Sequence, residues 1–363
     1  MRRAVGSSRT LALVAAVVIA GPAHAAAPSL AAVALGNLPG GDASSAAAVS
    51  GARIVVGWAT TAAGNQHAVS WRSGQITDLG TLPGDTDSYA AAVSETGLIV
   101  GASGTGLLAP FDPGNEASHA VLWRDGEIED LGTLPGGTFT VATGVNDAGQ
   151  VVGCGRTWLS DEFPGSVRGF VWQDGTMTIL EAPVAQAADV VTTSCALAIN
   201  DDGDVVGSAG WATVGSTVAT LHGVLWRDGM PIDLGVLPGA QNSGAVSINA
   251  AGQIVGSSGR YEPDLSVQAV RWTGHHVQAL GSIPGQRFST AVAVNSRGTA
   301  VGQCATASAM FGCRWQGMRV SILPPLGGDV TSTALGVNDV DLVVGYSQGP
   351  DATFRAVSWS PSS

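Results

Sequence analysis

The sequence contains no lysine: all 16 of its basic residues are arginine. This excludes Schiff-base chemistry and the phosphate loop that ends in Gly-Lys-Ser/Thr, both of which need a lysine amine. Charge is scarce, at 12% of residues against 45% apolar. Disordered chains have the opposite balance, so a packed core is expected. Cysteine is rare too. The four present, Cys154, Cys195, Cys304 and Cys313, lack the CxxC spacing of a zinc site. Long apolar runs are missing apart from Leu11–Ala20, which is too short to cross a bilayer. Glycine, in contrast, is abundant at 51 residues, without the G-X-Y period of collagen.

The short apolar run follows Arg2, Arg3 and Arg9 and precedes Ala23-His24-Ala25, an A-x-A cleavage pattern. Residues 1–25 are therefore read as a secretory signal peptide and 26–363 as a single domain, secreted or periplasmic. Without those three Arg the remaining 13 face 28 acids, a balance of −15. Such a surface repels phosphate backbones, so no nucleic-acid partner is expected. In an oxidising compartment an even cysteine count favours disulfides. Cys304 and Cys313 are placed on facing strands of one repeat, and Cys154 with Cys195 remains as a pairing between successive repeats.

The mature sequence is repetitive. Trp71, Trp123, Trp172, Trp226, Trp272, Trp315 and Trp359 each end a similar apolar run, with steps of 52, 49, 54, 46, 43 and 44 residues. This is the range of a four-stranded propeller blade. Each period holds two hairpins. The first, strands a and b, turns on N-x-x-G, as at Asn146–Gly149, Asn200–Gly203, Asn249–Gly252 and Asn295–Gly298. The second, strands c and d, turns on Asp125-Gly126, Asp174-Gly175 or Asp228-Gly229, a strong hairpin signal, and Glu127–Leu134 is expected to be the return strand after the first of these. Pro-Gly follows at Pro39, Pro83, Pro135, Pro238 and Pro284, suited to a type II turn. Runs such as AVLW and GVLW are continuously apolar. Strands covered on both faces read this way, whereas those of a two-layer sandwich alternate. The expected fold is all-β: a seven-bladed propeller of four antiparallel strands per blade, with a β-solenoid as runner-up. The last repeat lacks a strand d, and Leu30–Gly41 aligns with one, so this N-terminal segment is expected to complete the last blade and close the ring.

The Gly-rich DLGTLPGG turns, with a recurring H-A-[FV]-x-W, resemble the HAF-repeat family of bacterial extracellular proteins over about residues 30–360. His67, His119 and His222 match the motif histidine. Arg168, Gln268, Phe311 and Arg355 stand there in the other copies. The resemblance implies export and a propeller-like repeat fold, and it implies no activity.

Candidate chemistry is thin. Equivalent histidines point around a ring and do not converge, so neither a metal nor a cofactor is expected. They are read as packed, hydrogen-bonded side chains. Asn200–Asp204, NDDGD, superficially resembles a calcium loop but lacks its spacing and terminal Glu, and is read as a plain turn. No catalytic residue is assigned, and no nucleophile elbow is expected. In an up-and-down blade the a–b and c–d turns share one face and the b–c and d–a connections share the other. The second set is long and irregular, and function concentrates on such loops. The candidate ligand-binding residues are Phe111, Asp112, Glu116, Trp158, Asp161, Trp211, Tyr261 and Asp264, whose aromatics and carboxylates suit a sugar or a peptide. The expected function is a monomeric, non-enzymatic binding module for a glycan, a peptide or a surface protein, with no membrane span. The alternatives are a hydrolase or lyase acting on extracellular polysaccharide, and a purely structural envelope component.

Overall fold

The computed structural model describes residues 30–106, 118–157, 166–183, 190–213, 220–260, 266–274 and 276–360. These hold strands and turns and no helix. Strand β1 (Ala32–Ala34) comes first. The first unit is β2–β5 (Ser44–Val49, Val55–Thr60, Gln66–Arg72, Gln75–Gly80) and the second β6–β9 (Asp87–Val93, Ile99–Gly104, Ser118–Arg124, Glu127–Asp130). The third is β10–β13 (Thr140–Val145, Val151–Thr157, Ser166–Gln173, Thr176–Leu180) and the fourth β14–β17 (Val190–Ile199, Val205–Thr213, Thr220–Arg227, Met230–Asp233). The fifth is β18–β21 (Asn242–Ile248, Ile254–Arg260, Ser266–Thr273, His276–Ala279) and the sixth β22–β25 (Phe288–Val294, Thr299–Ala305, Met310–Gln316, Arg319–Leu323). Strands β26–β28 (Thr331–Val337, Val343–Gln348, Phe354–Trp359) form the last. Each unit is an antiparallel meander. In the last unit β1 takes the fourth place, pairing Ala32 with Trp359 and Ala34 with Val357.

Two expectations need correction. The fifth and sixth units are not separate sheets: a single parallel bridge between Val267 and Phe288 joins them into one of eight strands. The return strand of the second unit ends at Asp130, not Leu134. Its carboxylate accepts the Gly132 N–H at 2.8 Å and turns the chain away from the sheet.

The local chemistry explains the regularity. Both residues of the tight c–d turns have positive φ: Asp125 and Gly126 at 54° and 85°, Asp228 and Gly229 at 53° and 74°. That is type I′ geometry, which asparagine, aspartate and glycine tolerate best. After the Pro-Gly pairs, Gly137 donates to Leu134 O at 2.8 Å and Ala240 to Leu237 O at 2.9 Å, with Gly136 and Gly239 at positive φ. A different constraint holds glycine in strand b. A Cβ at Gly57, Gly101, Gly153, Gly207, Gly256, Gly302 or Gly345 would lie 1.9–2.0 Å from a strand-a carbonyl oxygen. Every unit has a bulge there, beside a buried alanine such as Ala46, Ala142 or Ala245.

Neighbouring units are joined by three repeating bonds. In five units the indole N–H of strand c reaches back to the exit of the previous unit, as Trp123 does to Leu79 O at 2.9 Å, Trp226 to Glu181 O at 2.7 Å and Trp315 to Gly281 O at 2.7 Å, whereas the Trp272 indole N–H is buried without a partner among the described residues. A buried hydroxyl on strand a accepts an N–H from the preceding strand c and donates to the carbonyl where strand d ends. Ser243, for example, accepts from Gly223 at 2.9 Å and donates to Gly235 O at 2.8 Å. The turn asparagines form a chain in which Asn146 donates to Asn200 O, Asn249 to Asn295 O and Asn295 to Asn338 O. The same bonds connect the last unit to the first. Trp71 donates to Gly36 O at 3.2 Å, Ala356 to Ser44 Oγ at 3.1 Å, and Asn338 to Ser50 O at 2.9 Å.

Candidate functional site

Both disulfides form. Cys304 and Cys313 link adjacent strands of the sixth unit with Cα atoms 5.8 Å apart. Cys154 of β11 and Cys195 of β14 link the third and fourth units, 4.9 Å apart. The second bond occupies a recurring inter-unit position. Where Cys154 stands after its glycine, the sixth unit has Gln303, which donates to Thr333 Oγ1 of the last unit at 3.2 Å.

The two faces differ in how fully their polar groups are bonded. On the a–b face each turn asparagine is buried and bonded twice. Asn249 Nδ2 donates to the next unit while its Oδ1 accepts the Gln253 N–H at 2.9 Å. Backbone N–H groups beside them meet carboxylates of the next turn, Thr96 with Asp147 at 2.9 Å and Asp147 with Asp201 at 3.0 Å. The calcium-like string Asn200–Asp204 belongs to this ring. Asn200 Oδ1 accepts the Asp204 N–H, and the buried Asp204 carboxylate holds the Arg227 guanidinium. That pairing raises the Arg227 pKa above its ordinary value. Among the described residues no three His, Cys, Asp or Glu side chains could hold a metal ion.

The motif histidines are paired, each with one aspartate eleven residues on. His67 Nδ1 lies 2.9 Å from Asp78, His119 2.8 Å from Asp130, and His222 2.7 Å from Asp233. The aspartate also accepts the N–H of the glycine two residues later, Gly80, Gly132 or Gly235. One carboxylate thus clasps strand c to the chain leaving strand d. Where the histidine is missing, so is its partner. Arg168, Gln268, Phe311 and Arg355 stand with Ile179, Ala279, Ile322 and Ala34. This joint loss was visible in the sequence as an eleven-residue spacing.

Two cavities open on the b–c/d–a face. One, of about 500 Å³, lies between the start of β20 and the chain from Leu280 to Arg287. A second, of about 330 Å³, shares Ser266 and Gln268 with it and extends to Arg260 and the Leu237–Ala240 turn. Both occur where the fifth unit lacks the His–Asp clasp.

Of the eight candidate ligand residues, Phe111, Asp112, Glu116, Trp158, Asp161, Tyr261 and Asp264 lie outside the described residues. Trp211 is described, and it stands on β15 paired with Thr192 and Thr220, not in a loop. Its ring meets His222 edge-on, with centroids 5.1 Å apart. The sequence reading missed Trp58, Tyr346 and Phe354. These half-buried rings meet edge-on where the first unit abuts the last, with Trp58–Phe354 at 6.2 Å and Tyr346–Phe354 at 5.1 Å. Trp58 could have been found as a tryptophan outside the repeating set. The sequence also contains an overlooked match to the nucleophile-elbow spacing, Gly345-Tyr346-Ser347-Gln348-Gly349. Ser347 is fully buried within β27, accepting the Leu326 N–H at 3.0 Å and facing the Thr331 carbonyl. It therefore lacks the exposed strand-to-helix turn that such a nucleophile needs.

No protein-family model matches the sequence, and no curated protein matches it. Solved structures do resemble the fold. An oligogalacturonate lyase from Vibrio parahaemolyticus superposes with a TM-score of 0.55 at 11% identity, covering 91% of this chain and 93% of its own. A puromycin-hydrolyzing peptidase from Mycobacterium tuberculosis gives 0.52 at 14%, covering 92% of this chain, which spans 55% of the peptidase. The propeller domain of the Trilobed protease from Pyrococcus furiosus gives 0.51 at 9%, covering 88% and 96%. The all-β fold is thus propeller-like.

Proposed function

We propose that this chain is an exported binding module of the HAF-repeat type, built as a closed seven-bladed propeller whose b–c/d–a face takes a glycan or a peptide without chemical turnover. The observation that carries the reading is the contrast between the faces. On the a–b side, turn asparagines, backbone N–H groups and carboxylates bond from unit to unit. On the opposite side, which also carries the variable b–c loops, two adjoining cavities open beside the Pro-Gly connections on either side of the fifth unit. A rigid scaffold with variable connections is the usual setting for recognition. The bonds from Ala356 to Ser44 and from Asn338 to Ser50 support closure. The two disulfides support an oxidising compartment. The described residues include no helix long and apolar enough to cross a membrane.

The test is to screen the purified protein against glycan and peptide arrays, with turnover assayed on every ligand that binds. Saturable binding with no product is the expected result. A released product would make the chain an enzyme, and silence on both arrays would leave only a structural role.

A further inference from the structure

We propose that the cleft of the fifth unit binds an acidic oligosaccharide, a carboxylated or sulfated sugar chain. The inference rests on the binding-module reading and gives it a place and a ligand class. Three observations support it.

The cleft occurs where a repeating clasp has been lost. In the first, second and fourth units the His–Asp pair ties the start of strand c to the chain leaving strand d. The fifth unit has Gln268 and Ala279 at those two places, and the space between β20 and the d–a connection stays open as the larger cavity. Its size falls within the range of small-ligand sites.

The cleft is also a local cationic site on an acidic protein. Arg260 and Arg287 border the two cavities, and no Asp or Glu is among the described residues lining either. Arg260 Nε donates to Gly239 O at 2.8 Å, which fixes the guanidinium at the cavity edge. Its terminal nitrogens, and the whole side chain of the exposed Arg287, have no partner among the described residues. Guanidinium donors in this state match carboxylate and sulfate oxygens.

The remaining chemistry favours a sugar over a peptide. Ser266, Ser282 and Gln268 are exposed around the cleft and offer hydroxyl and amide groups for sugar hydroxyls. Peptide recognition uses a free strand edge with side-chain pockets, whereas the cleft end of β20 is paired with β19 along one edge, and along the other Val267 bridges Phe288 and Ala269 O accepts the Leu280 N–H at 2.8 Å.

The experiment is calorimetric titration with an oligogalacturonate, a sulfated oligosaccharide and a neutral oligosaccharide of matched length. The wild type should bind an acidic probe and not the neutral one. Arg260→Gln and Arg287→Gln should each weaken binding by about tenfold or more, the scale of one charge-assisted contact. The double variant Gln268→His with Ala279→Asp should rebuild the clasp, close the cleft and abolish binding, while the melting temperature holds or rises. If that variant fails to fold, the arginine variants decide. Equal binding of the neutral probe, or acidic binding unchanged in the arginine variants, overturns the proposal. So does wild-type indifference to both acidic probes. If binding persists in these variants, or appears only for other ligands, the module reading stands and this site falls. If nothing binds on any array, the module reading falls as well.

Discussion

Removing one hydroxyl at the junction of the first and last units tests whether the ring closes. Each unit offers the preceding one a buried Ser or Thr from strand a. Within the chain Ser243 is 3% exposed, accepts the Gly223 N–H at 2.9 Å and donates to Gly235 O at 2.8 Å. At the junction Ser44 is 1% exposed, accepts the Ala356 N–H at 3.1 Å and donates to Asn37 Oδ1 at 2.6 Å. Alanine at either position removes both bonds and leaves a buried N–H without a partner. Such a group costs about 1–3 kcal/mol. Ser44→Ala and Ser243→Ala should therefore destabilise by similar amounts, about 2 kcal/mol each. The assay is urea unfolding followed by tryptophan fluorescence, read as a lower midpoint at unchanged slope. A cost near zero for Ser44→Ala beside a full cost for Ser243→Ala would mean that the junction is open in solution, and the closure argument would fail.

The disulfides should rank by the length of chain they enclose. Cys154–Cys195 spans 41 residues and Cys304–Cys313 spans 9. Chain entropy assigns about 3.9 and about 2.6 kcal/mol to them. Paired Cys→Ala variants compared by urea midpoint should follow that order, and the reverse order would show that native-state packing outweighs loop closure. Tyr89 gives a pH prediction. It is 3% exposed, and burial pushes its phenol well above the ordinary value of 10.0. The folded state holds the proton more tightly than the unfolded chain, so this contribution is complete below pH 10 and declines as the pH rises toward the folded-state value. Melting temperature should fall above pH 10, and Tyr89→Phe should remove part of that slope. An identical slope in the variant would assign the alkaline loss elsewhere.

The strand plan was legible because it rests on local chemistry repeated many times. Asp125-Gly126 and Asn200–Gly203 specify turns by their own backbone preferences, and the apolar runs mark strands covered on both sides. Less was legible where residues act across units. Ser88 and Thr140 read as ordinary strand residues, yet each bridges two units. Gly57 and Gly345 look like turn glycines and are instead fixed by a strand-a carbonyl too close for any Cβ. The Val267–Phe288 bridge depends on the distance between two units, which no local pattern encodes. The binding face could be chosen from loop length alone, but its residues could not. Trp211 falls in a segment read as loop because its strand extends past the usual end.

Repetition and function are therefore separable within one chain. A group that recurs with its partner, as His119 does with Asp130 and His222 with Asp233, holds the scaffold together and is poorly placed to distinguish a ligand. Information about a ligand has to reside where the pattern lapses while the fold does not. The fifth unit meets that condition. Gln268 and Ala279 break the clasp, yet β20 keeps its full pairing with β19 and β21. Trp272 still packs with no exposure. Phe311 and Ile322 break the same clasp in the sixth unit, but there Cys304–Cys313 ties strands b and c covalently and both cysteines are fully buried. Two of the motif's four lapses have thus taken different forms, one beside a covalent bond and one left open beside two arginines.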